Sequence, residues 1–191
     1  MDAPPDRASH TTAGALPIGS RSEASRLLIR VSMGSGVGPT QLAAFDAALS
    51  DAGVAGYNIV RLSSVIPAHA EVLQVAGADQ LAGVPGDVAY CVYAAAYAST
   101  PGEQTWAGIA WAVPENGSGV GLFVEHTASS ESMVRHDLRL TIEAMAKTRG
   151  NQHRFAGQSL SSTVCIDHPV CAVVIASYGT AGWRDLLKSE G

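Results

Sequence analysis

The chain has 191 residues, 47% of them hydrophobic and 15% charged, with a formal net charge of −5. A chain of that length suits one domain with a sizeable core, and its acidic balance with scattered Lys and Arg argues against nucleic acid or an anionic membrane as partner. Three cysteines (Cys91, Cys165 and Cys171) without CxxC spacing argue against a disulfide framework and fit a cytoplasmic protein, and no run reaches the roughly 18 apolar residues of a membrane span.

Residues 1–25 are polar, small and proline-bearing, which predicts a flexible leader before a single domain over 26–191. Leu27 to Val31 is a short β-prone run, expected to end in a glycine-rich turn, Gly34-Ser35-Gly36-Val37-Gly38-Pro39. A helix should follow with Thr40 as N-cap, with Leu42, Phe45, Leu49 and Ala52 along its apolar face and Gly53 as its stop. Tyr57 to Leu62 reads as a strand running into Ser63-Ser64, broken after Ile66 by Pro67.

Two apolar runs, Val88–Tyr97 and Thr105–Val113, flank a turn and are expected to pair as antiparallel neighbours. A strand over Gly119–Glu125 comes next. A helix over about Ser130–Arg149 carries Val134, Leu138, Ile142 and Met145 as its stripe, with Glu131 near its positive end. Two further strands, about Gln158–Ile166 and Val170–Tyr178, are joined through Asp167-His168-Pro169. Strands in runs around two long helices place the chain in the α+β class, with helices on largely antiparallel sheet.

Read alone, Ser63-Ser64 is a strand end whose hydroxyls satisfy turn backbone groups. The surrounding residues say more. Asn58-x-x-Arg61-Leu62-Ser63-Ser64-Val65-Ile66-Pro67, followed by Ala70-Glu71, resembles the self-processing site of pyruvoyl-dependent arginine decarboxylases. Gly38 to Gly53 resembles that family's first helix, including Phe45-Asp46, and Gly121-Leu122-Phe123-Val124-Glu125 resembles the strand bearing its catalytic glutamate. The likeness extends through Cys171-Ala172-Val173-Val174 and covers about Leu28 to Tyr178.

The resemblance implies an αββα sandwich, assembled as a homotrimer or a dimer of trimers, with sites between subunits. It implies cleavage of a zymogen between Ser63 and Ser64 into residues 1–63 (β chain) and 64–191 (α chain). Ser64 would become a covalent pyruvoyl cofactor, so that L-arginine is converted to agmatine and CO2, as in polyamine synthesis, without pyridoxal phosphate or metal. Asn58 would donate to the oxyanion formed during cleavage. Glu125 would be the proton donor, with Phe123 and Val124 supplying the apolar surroundings that suit one. Asp46 would take the substrate guanidinium, for which a carboxylate is a bidentate acceptor.

Departures lie near the site: Pro67-Ala68-His69 where many relatives have Pro-Pro, and His126-Thr127 after Glu125. They leave open a decarboxylase of another amino acid, or an unprocessed scaffold or binding homologue. Gly34-x-Gly36-x-Gly38 lacks the offsets of a nucleotide loop. The histidines are spread singly, without HxH or HExxH spacing, so no metal site is expected. His126 should face away from Glu125, since side chains alternate along a strand.

Overall fold

The glycine alternation governs the first layer. In the computed structural model, which describes residues 26–76, 81–117, 119–150 and 152–183, the segment expected to turn at Gly34 instead continues as a strand, β1 (Leu28–Val37). The following helix, α1 (Gln41–Asp51), lies directly on it. A Cβ on Gly34 would fall 2.1 Å from the Ala48 carbonyl oxygen, one on Gly36 2.3 Å from that of Ala44, and one on Gly38 2.7 Å from the Ala44 nitrogen. The alternate glycines are therefore a seat for helix backbone. The buried face of α1 is accordingly Ala44, Ala48 and Leu49. Leu42 does not join it and is 77% exposed. Thr40 caps the helix, accepting from the Ala43 N–H.

The chain then runs β2 (Asn58–Arg61), β3 (Val65–Ile66), β4 (Glu71–Gln74), β5 (Val88–Ala98), β6 (Gln104–Pro114), β7 (Gly121–Ala128), α2 (Glu131–Thr148), β8 (His153–Val164) and β9 (Val170–Ala181). The strands form two sheets. One has the order β2-β5-β9-β1-β4 and the other β3-β7-β6-β8. Most pairings are antiparallel, while β1–β4 and β2–β5 are parallel. The two central apolar runs are not neighbours: β5 pairs with β9 and β6 with β7 and β8, so they face one another from opposite sheets. β8 and β9 likewise belong to different sheets. Their apolar residues look inward across the sandwich, which hydropathy along the chain cannot distinguish from lateral pairing.

The layers follow from which face each residue takes. Ile29, Val31, Val92, Ile109, Trp111, Phe123 and Val174 fill the space between the sheets. Cys91, Val173 and Ile175 turn outward under α1, and Ala110, Leu122 and Val124 turn outward under Val134, Leu138 and Ile142 of α2. The order is α1, sheet, sheet, α2, which is the αββα arrangement. All three cysteines are buried and free.

Candidate active site

At Leu62–Ser64 the chain leaves one sheet for the other. The Leu62 N–H still donates to the Cys91 carbonyl of β5 at 2.8 Å, whereas the Ser64 carbonyl already accepts from Phe123 N–H of β7 at 2.9 Å. The corner is made by Ser64 itself, with a φ of 65°. A side chain in that left-handed region costs on the order of 1 kcal/mol, so the Ser63–Ser64 peptide sits at a strained point tied down on both sides. Ser63 is exposed and Ser64 half-buried.

The Ser64 hydroxyl donates to Oε1 of Glu125. Glu125 stands on β7 with 17% of its side chain exposed, and its Oε2 lies 4.0 Å from a guanidinium nitrogen of Arg61. That guanidinium rests over the Tyr93 ring, 5.1 Å from its centroid. On the other side of the corner, the Tyr178 hydroxyl donates to the Val65 carbonyl at 2.9 Å. Burial, and then the proximity of Glu125 and Cys91, pushes the Tyr178 phenol upward, which keeps its proton in place.

A cleft of about 480 Å³ opens beside this group, lined by Arg61, Tyr93, Ala94, Ala95, Tyr97, Glu125, His126 and Thr127. Its origin is topological. β2 covers only Val88–Cys91 of β5, and β3 only Leu122 and Gly121 of β7. Beyond those short partners the two strand edges, one in each sheet, have no strand partner among the described residues, and the cleft lies between them.

The expected site residues are thus distributed unevenly. Ser64 and Glu125 are brought together across 61 positions of sequence. Asn58 opens β2, and its side-chain amide donates to the Gly86 carbonyl at 2.6 Å. Asp46 is on the exposed face of α1, outside the cleft lining, and has no hydrogen-bond or ion-pair partner among the described residues. Its neighbour Phe45 packs on Tyr93 and Tyr97, with centroids 5.9 Å and 6.3 Å apart, so α1 flanks the cleft without entering it. His126 turns away from Glu125 and meets the Thr141 hydroxyl of α2 at 2.7 Å. His69 lines a different cavity, of about 230 Å³, with Arg26 and Arg154. The expected leader, residues 1–25, lies outside the described residues.

Sequence reasoning passed over Arg61, Tyr93 and Tyr178. Arg61 stood inside the motif, but nothing in a strand-end arginine says that it will reach a carboxylate on the other sheet. The two tyrosines carry no local signal at all.

The family model for pyruvoyl-dependent arginine decarboxylase matches residues 28–181. A protein of Halobacterium salinarum named pyruvoyl-dependent arginine decarboxylase is 50% identical over 97 residues, which cover 51% of this chain and 58% of that relative's length. One of the same name from Methanocaldococcus jannaschii is 30% identical over 150 residues, covering 78% of this chain and 86% of the relative. The pyruvoyl-dependent arginine decarboxylase 2 of Archaeoglobus fulgidus is 34% identical over 122 residues, covering 62% and 76% respectively. With the match running from the start of β1 to the end of β9, the chain belongs to the pyruvoyl-dependent arginine decarboxylase family.

Proposed function

We propose that this chain cleaves itself between Ser63 and Ser64 and then decarboxylates L-arginine to agmatine and CO2. The observation that carries the reading is the Ser64 hydroxyl held by Glu125 at a left-handed corner between the two sheets. A carboxylate in that position takes the hydroxyl proton as Oγ attacks the Ser63 carbonyl carbon, and returns it to the departing Ser64 nitrogen, turning the amide into an ester. Loss of the Ser64 α-proton with rupture of the Cβ–Oγ bond then releases Ser63 as a carboxylate. Water finally replaces the nitrogen of residue 64, which departs as ammonia and leaves a pyruvoyl group. The motif likeness assigns Asn58 the oxyanion donor, although within one chain its amide is held by the Gly86 carbonyl at the end of β2 far from Ser63.

The residues fit such a group, because the serine that would supply it is in hydrogen-bond contact with Glu125, a carboxylate that lines the cleft. Once formed, the group supplies an electron sink for the carbon that loses CO2. The chain's own part is to orient the amino acid and move protons. Glu125, at the same spot, delivers the proton that replaces the departing carboxyl, and the Tyr178 hydroxyl holds the Val65 carbonyl so that residue 64 stays fixed. Two strand edges open among the described residues, and an Asp46 without a partner among them, favour a homotrimer, or a dimer of trimers, in which a second copy covers the cleft and Asp46 serves a neighbour's substrate. Three buried free thiols suit a cytoplasmic location.

Intact-mass measurement of the purified chain tests self-cleavage directly. The expected result is two species, residues 1–63 and residues 64–191, the second blocked at its N-terminus. A single full-length species at all times overturns the proposal. CO2 release from a panel of amino acids tests the substrate, and no turnover of arginine by the cleaved protein removes arginine from it.

A further inference from the structure

We propose that Arg61 binds the α-carboxylate of the amino-acid substrate and thereby decides which end of the substrate lies at Ser64. The inference rests on the decarboxylase reading above and adds to it a recognition residue. Three observations carry it.

The first is that Arg61 is the only Lys or Arg among the residues lining the cleft. A substrate with a guanidinium of its own is repelled there and enters with its anionic group toward Arg61. The second is that the Arg61 guanidinium is aimed but not saturated. It lies 4.0 Å from Glu125 Oε2, well beyond the roughly 2.7–2.9 Å of a charge-assisted hydrogen bond. None of its N–H groups has a hydrogen-bond partner among the described residues, and 57% of the side chain is exposed. The Tyr93 ring beneath it, at 5.1 Å, fixes its plane and leaves the fork free for a carboxylate.

The third is the proton count. An amino acid arrives with its α-amine protonated, and that amine must lose a proton before it can act as a nucleophile. The Glu125 carboxylate, which faces Arg61, is placed to take it. Glu125 is then neutral and already holds the proton it will deliver after CO2 leaves, while Arg61 has lost its facing anion. The substrate carboxylate replaces it, so the charge in the cleft stays balanced at each stage. Loss of CO2 removes that carboxylate, delivery of the proton returns Glu125 to the anion that faces Arg61, and the product, now more cationic, has no anionic group left for Arg61 to hold. The same orientation directs the substrate's side chain toward the Tyr97 and Thr127 part of the lining.

Agmatine, which is arginine without its carboxylate, separates this role from a structural one. In the cleaved protein, Arg61→Gln should raise KM for L-arginine by at least about tenfold, the size expected for one lost charge-assisted hydrogen bond, with inhibition by agmatine changed less than about twofold. Arg61→Lys should recover part of the loss. Because Arg61 lies close to the cleavage point, the same comparison is made by calorimetry in the uncleaved Ser64→Ala chain, with and without Arg61→Gln, using L-arginine and agmatine as probes. L-arginine binding should weaken at least tenfold and agmatine binding should hold. Equal weakening of both probes, or no change for L-arginine, overturns the assignment. A cleaved wild-type chain inert toward every amino acid overturns the decarboxylase reading instead, and the calorimetry still decides Arg61.

Discussion

The Ser64 hydroxyl and the Glu125 carboxylate meet at the edge of β7, 61 positions apart in the chain. The serine arrives on a segment that has just left β2 and its pairing with β5, and the glutamate stands on a stretch of β7 beyond its short partner β3. A contact built this way depends on the crossing of the chain from one sheet to the other, which delivers Ser64 to β7.

Replacing Glu125 by glutamine tests the proton-transfer half of that contact. The amide keeps the shape but cannot accept the hydroxyl proton, so cleavage should slow by about 10²-fold or more, the usual range for loss of a general base. The time course of the residue 64–191 fragment, followed by intact mass, measures it. Cleavage at the wild-type rate would remove Glu125 from this step. Ser64→Ala should remain full length throughout.

Tyr178 provides a second handle on the same corner. Tyr178→Phe removes the hydrogen bond to the Val65 carbonyl and should cost about 1 kcal/mol of stability. Cleavage should also slow severalfold, because the strained φ of Ser64 is then held from one side fewer. A stability loss with an unchanged cleavage rate would make the tyrosine purely structural.

How much of this was legible beforehand depends on how local the cause was. The α2 stripe of Val134, Leu138 and Ile142 was readable because helical period alone selects it. The glycine alternation was misread as a turn, because the helix that makes it necessary comes later in the chain and the clash is with that helix's backbone. The pairing of β5 with β6 was misread for a related reason: two apolar runs around a turn look alike whether they lie side by side or face to face. At the site, Ser64 and Glu125 were found through motif likeness, whereas Arg61, Tyr93 and Tyr178 act through contacts between distant strands and leave no trace in spacing.

The glycine seat makes its own forecast. Gly36→Ala drives a methyl to 2.3 Å from the Ala44 carbonyl oxygen and 2.4 Å from the Ala48 nitrogen. Both are helix backbone, so α1 must lift as a unit, at a cost of about 3 kcal/mol or more. Thermal unfolding should show a drop of many degrees, while Val37→Ala, at an exposed position of the same strand, should leave the midpoint nearly unchanged.

Asp46→Asn separates substrate recognition from cofactor formation. Asp46 is exposed, makes no ion pair among the described residues and lies outside its own chain's cleft, so cleavage should proceed at the wild-type rate. If a neighbouring copy presents it to the substrate, KM for arginine should rise by about tenfold or more, as for loss of a charged hydrogen-bond partner. An unchanged KM would place the guanidinium contact elsewhere.

The buried thiols give a pH dependence whose sign can be worked out. Burial pushes the Cys91 thiol from 9.0 up to about 12, with Arg61 pulling weakly the other way, and it pushes Cys171 from 9.0 up to about 11. Below pH 9 both thiols keep their protons whether the chain is folded or not, and they add no slope. Above it the unfolded chain releases these protons while the folded chain retains them. The folded state then binds more protons, so stability must fall as pH rises from 9 toward 11 or 12. Unfolding midpoints in urea between pH 8 and pH 10.5 should decline, and Cys91→Ala should flatten the decline even though the lost side chain lowers the absolute midpoint. An identical slope in the variant would mean that the Cys91 thiol ionises in the folded protein as easily as in the unfolded chain, in contradiction to its full burial beneath α1.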